Sequence, residues 1–73
     1  MTIKTDYNKV YDLYTITAFD GQIKHDKNIS IAKDIDGVWT INFGQIDISD
    51  SVLMDVYLDM LKQANDLLKT LSN

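Results

Sequence analysis

Gln22 to Asp34 reads QIKHDKNISIAKD, and this stretch decides the fold. Its odd positions hold Ile23, His25, Lys27, Ile29, Ile31 and Lys33. Its even positions hold Gln22, Lys24, Asp26, Asn28, Ser30, Ala32 and Asp34, none of them a large apolar side chain. A period of two held over this length marks a strand with one dry and one wet face. The expectation is a central strand of a small antiparallel sheet, with odd-numbered residues toward the core.

Two Asp-Gly pairs flank this strand. Before it, LYTITAF runs into Asp20-Gly21, a two-residue hairpin signal because both central residues of a type I′ turn need positive φ. Closing the hairpin there sets Ala18 opposite Ile23, Ile16 opposite His25 and Tyr14 opposite Lys27. After it comes Asp36-Gly37. A two-residue loop there would turn Trp39, Ile41 and Phe43 away from Ile29 and Ile31, since a one-residue slip inverts every side chain. A three-residue loop, Ile35-Asp36-Gly37, with Gly37 left-handed in a G1 bulge, restores the match. Lys33 then faces Trp39 as a cation–π pair, Ile31 faces Ile41, and Ile29 faces Phe43. Beyond Phe43 the apolar phase moves to Ile46 and Ile48, and Gly44 marks a bulge. That bulge sets Ile48 beside His25 and Asp26 opposite Asp47.

Working outward to the ends, Ser49-Asp50-Ser51 offers helix-capping side chains before VLMDVYLDMLKQANDLLKTL. Leu53, Tyr57, Met60, Ala64, Leu67 and Leu71 form an apolar stripe, widened by Met54, Leu58, Leu61 and Leu68. Asp55, Asp59, Lys62, Asp66 and Lys69 form the opposite, wet stripe. At the N-terminal end, Met1–Lys4 reads as a loose tail. Tyr7, Val10, Tyr11 and Tyr14 follow helical spacing, with Thr5 or Asp6 as N-cap, so residues 5–13 read as a short helix, with an extension of the following strand as the alternative because Tyr and Val are mediocre helix formers. The whole reads as one small α+β domain over residues 1–73. It is a three-stranded antiparallel meander with a long C-terminal helix packed on one face and a short N-terminal helix, in αβββα order.

Composition narrows the function. All 11 acids are Asp and all 7 bases are Lys, for a net charge of −4. That balance, with no Arg for bidentate phosphate or guanine recognition, argues against nucleic acid as the partner. The absence of Cys excludes disulfides and thiolate metal sites, and no stretch has the length of a membrane span. A cytoplasmic protein is expected, without membrane association. Frequent Ile, Asn, Lys and Asp suit A/T-rich codons, hence a low-GC bacterium, its phage or another mobile element.

No catalytic constellation emerges. His25 is the single histidine and falls on the core side, where packing is the simpler role. Asp26–Gly37 opens like an EF-hand loop but carries Ile31 and Gly37 where that loop needs Gly and Glu. No cofactor or metal is expected. The reading is a small, acidic, non-catalytic binding protein of inhibitor or regulator type with a protein partner. Its candidate interaction surface is Lys24, Asp26, Asn28, Asp47, Asp55, Asp59 and Asp66. Homodimers through the tyrosines, the surplus helix leucines or an open strand edge also fit a chain this short.

IAKDIDGVWTINF followed by SDSVLMDVYLDML resembles, in layout, the small phage-encoded anti-CRISPR inhibitors of Cas9. The resemblance implies occupation of a DNA-binding channel by carboxylates standing in for phosphates. Here the Asp residues are interleaved with Lys, and no site residue is carried over. A third option, a single-stranded nucleic-acid-binding module, has only Phe19 as a stacking aromatic on the wet face.

Overall fold

The computed structural model describes residues 2–43 and 48–72, the side chains of 23–27 excepted. Ile29 and Ile31 are fully buried, while Asn28 on the other face is exposed and Ser30 half-buried. The odd-in, even-out reading of the central ribbon therefore holds where side chains are described. It lies in β3 (Ile23–Lys33), the third of four antiparallel strands in the order β1-β2-β3-β4. The others are β1 (Thr2–Asn8), β2 (Leu13–Asp20) and β4 (Trp39–Asn42), and one helix follows, α1 (Ser51–Leu71). Ile16, Ala18, Ile29 and Ile31 from the sheet meet Met60 and Ala64 from the helix in one core. Each fully buried isoleucine contributes about 1.5–3 kcal/mol of transfer free energy.

The expected N-terminal helix is a strand, and the expected tail, from Thr2 onward, is part of it. Ile3, Thr5 and Tyr7 alternate with Thr2, Lys4, Asp6 and Asn8, and each faces β2 in an unbroken register from Thr2↔Phe19 to Asn8↔Leu13. Thr and Tyr favour a pleated surface over a helix, and β2 would otherwise present an unpaired edge. The helical spacing of Tyr7, Val10, Tyr11 and Tyr14 was a coincidence of two strand ends and the loop joining them. The order is thus ββββα.

The first Asp-Gly turn also differs. Asp20 pairs with Ile23, so the loop is Gly21-Gln22 with Gly21 at φ 64°, the position where a Gly-X hairpin loop needs glycine. An irregular step between Thr17 and Phe19 then brings Ile16 opposite Ile29 and Tyr14 opposite Ile31, not His25 and Lys27. Both displacements are even, so Tyr14, Ile16, Ile29 and Ile31 keep the face read from sequence. The second turn is as read from sequence: Lys33↔Trp39 and Ile31↔Ile41 flank a three-residue loop, and Gly37 lies at φ 78°. β4 ends at Asn42, which leaves Phe43 outside the ladder and partly exposed. The Gly44 bulge and the Asp26–Asp47 and His25–Ile48 pairings fall outside the described residues.

Asp50 caps α1, its Oδ1 accepting from the Leu53 amide at 2.8 Å. The helix packs against β2, β3 and β4. Leu61 and Leu68 join its buried face together with Val56, whereas Met54 and Leu58 are exposed.

Ile29→Ala removes a side chain from the centre of the two layers and is expected to cost about 2–5 kcal/mol. Ile35→Ala, at a fully exposed position, should leave the denaturant midpoint unchanged. Urea titration followed by circular dichroism separates the two.

Candidate binding surface

The side chains singled out from sequence do not form one surface. Asn28 opposes Thr17 on the sheet face away from the helix. Asp55, Asp59 and Asp66 lie exposed along the solvent stripe of α1, on the far side of the domain. The side chains of Lys24 and Asp26, and residue Asp47, lie outside the described set. Among the described residues no three metal-ligating side chains converge.

What the fold does gather is at one end of the sheet. The β1–β2 loop (9–12) and the β3–β4 loop (34–38) both close there, two strand spacings or roughly 10 Å apart. Their tips are apolar and in water: Val10 is 82% exposed, Tyr11 74%, Val38 57%, and Ile35 fully. Isolated exposed apolar residues are ordinary, but here four fall on two loops at the same end of the sheet.

Both loops are built the same way. Asn8 ends β1, and its Oδ1 accepts from the amides of Val10 at 3.0 Å and Tyr11 at 3.4 Å. Asp34 follows β3, and its Oδ1 accepts from the amides of Asp36 at 2.8 Å and Val38 at 3.0 Å. Backbone bonds from Gly37 N–H to the Asp34 carbonyl and from Asp34 N–H to the Val38 carbonyl complete the second turn. Each loop ends or nearly ends in a left-handed residue, Asp12 at φ 51° and Gly37 at φ 78°. An Asx side chain that supplies the turn's acceptor leaves the tip side chains nothing to do locally. The sequence signal was present in Asn8 and Asp34, each a polar residue where a strand stops.

Beneath the loops runs an aromatic row on the helix side of the sheet. Tyr7 and Tyr14 lie with ring centroids 4.6 Å apart, and Tyr14 meets Trp39 edge-on at 5.8 Å. The Lys33 ammonium sits 5.1 Å from the Trp39 ring centre, the cation–π contact expected from the register. Such aromatic pairs contribute about 0.5–1.5 kcal/mol beyond their burial. Tyr7 also donates its hydroxyl to Asp12 Oδ1 at 2.6 Å, which ties the first loop to its strand.

On the opposite sheet face, Leu13 separates two open hollows. One, of about 600 Å³, is bordered by Asp6, Asn8, Thr15 and Thr17; the other, about 350 Å³, by Ser30, Ala32, Thr40 and Asn42. Their lining mixes apolar surface with hydroxyl and amide groups, and Asp6 and Lys9 border the first, Lys33 and Asp34 the second. The end of the sheet therefore combines apolar tips, an aromatic floor and flanks that carry charges of both signs.

The hydrogen bond to the Asp12 carboxylate raises the Tyr7 pKa above its ordinary 10.0, with partial desolvation and the Asp12 charge adding to it. The neutral phenol is thus favoured in the folded chain. Its stabilising contribution is intact below pH 10 and is lost as pH rises through the higher folded value. Ultraviolet titration should show one late-ionising tyrosine that returns toward the ordinary value in Asp12→Asn and disappears in Tyr7→Phe. The chain matches no protein-family model, no curated protein and no solved structure.

Proposed function

We propose that this chain is a non-catalytic binding protein whose contact surface is the two-loop end of the sheet. The observation that carries this reading is the exposure of Val10, Tyr11, Ile35 and Val38 on loops whose own hydrogen bonds hold them in place. Preorganised loops lose less conformational entropy on binding, which lowers the ordering cost set against the burial of their tips. A large aromatic such as Tyr11 is the usual anchor of such a contact.

A second reading, inhibition of a Cas nuclease, draws on the exposed carboxylates of Asp55, Asp59 and Asp66 along one helix stripe. Lys62 and Lys69 share that stripe and dilute its negative field. The layout that suggested it began with a helix, where the chain has β1. Single-stranded nucleic-acid binding has less support, because Lys4 already lies over the Phe19 ring at 5.1 Å.

The two surfaces are separable by mutation. Affinity capture from the native host is run with the unaltered chain, with Val10→Ser/Tyr11→Ser/Ile35→Ser, and with Asp55→Asn/Asp59→Asn/Asp66→Asn. A specific partner lost only with the loop variant supports the first reading. Retention by the loop variant and loss with the helix variant overturns it in favour of the second.

A further inference from the structure

The geometry points to a homodimer in which β1 pairs antiparallel with β1 of a second copy, joining two four-stranded sheets into one of eight strands. β1 is an edge strand of seven residues with a regular ladder to β2 along its whole length. The opposite edge, β4, has only four. Neither proline nor a register break interrupts Thr2–Asn8, and its two charges, Lys4 and Asp6, are of opposite sign. The helix packs over β2, β3 and β4, and Thr5 and Tyr7 on the helix side of β1 are left exposed.

The occupant follows from the strand's own chemistry. Two side-by-side antiparallel strands related by a two-fold axis must meet with the axis perpendicular to the sheet, so odd residues face odd residues and even face even. Three such registers give substantial overlap. One sets Lys4 against Lys4, another sets Asp6 against Asp6, and both are repulsive. The third centres on Thr5 facing Thr5. It sets Lys4 against Asp6 of the second copy, twice by symmetry, on the face away from the helices. On the helix side it sets Ile3 against Tyr7 of the second copy, again twice, and at the ends Thr2 against Asn8.

This register is also the longest, using all seven residues of the strand. Within its own chain Lys4 faces Thr17 and Asp6 faces Thr15, so neither has a charged neighbour directly across the ladder until a second copy supplies one. The self-complementary order of TIKTDYN thus matches a second copy of this chain. Ile3, now half-buried, and Tyr7 would floor the space between the two helices.

Sedimentation equilibrium over a wide concentration range reads the assembly, with circular dichroism confirming the fold of each variant. The unaltered chain should form a dimer. Lys4→Asp alone or Asp6→Lys alone should weaken it about tenfold or more, since each replaces two attractive pairs by two repulsive ones. The double exchange, Lys4→Asp with Asp6→Lys, should restore it. A crosslink provides a second readout, because the chain has no native cysteine. Thr5→Cys faces its own copy at a Cα separation of about 4.5–5.5 Å, within disulfide reach, and should oxidise to a covalent dimer. Lys9→Cys, in the exposed loop, should not. A monomer at all concentrations, single exchanges without effect, a double exchange that fails to rescue, or equal crosslinking at both positions would each overturn the proposal.

Discussion

Ile16, Ile29 and Ile31 form the contact on which the molecule depends, a fully buried triangle on β2 and β3 pressed against Met60 and Ala64 of the helix. The other large apolar residues packed around this contact are only partly buried, so the sheet must keep those three side chains on one face. Everything else in the architecture satisfies that requirement. The left-handed glycine at 37 lets β4 return in phase, and the irregular step between Thr17 and Phe19 absorbs extra residues in β3 without turning Ile29 outward.

Face and register turn out to be separate quantities. The dry face of β3 was legible in the alternation of QIKHDKNISIAKD alone, because a pleated strand leaves no choice of side once one set of residues is apolar. The register between β2 and β3 was not, since a slip of two or four residues preserves every face and changes only which neighbours meet. The second hairpin escaped that ambiguity. Its loop length and the apolar triplet around Trp39 and Ile41 admitted a single in-phase solution, and Lys33 and Trp39 meet across it.

The candidate surface was less legible than the core. Of the residues picked out from sequence, Asn28 lies on the outer face of the sheet, Asp55, Asp59 and Asp66 lie on the helix at the other side, and the rest fall beyond the described side chains. The apolar tips of the first loop looked like helix in one dimension: Tyr7, Val10, Tyr11 and Tyr14 share helical spacing, yet two lie in strands and two on a turn. The Asx hydrogen bonds of Asn8 and Asp34 decide the matter, because they close the turns and leave Val10, Tyr11, Ile35 and Val38 facing water.

The amino-acid sequence by itself determined the α+β class, the inward face of β3, the second hairpin and the capped amphipathic helix. Each of these is a local property, written in a period of two, a period of 3.6 or a turn residue whose φ few side chains tolerate. Tertiary structure decided the rest: that residues 2–8 are a strand, that Ile16 meets Ile29, and that two loops distant in sequence stand side by side. Those outcomes depend on which edges and faces compete for partners, and a pattern along one dimension does not contain that competition.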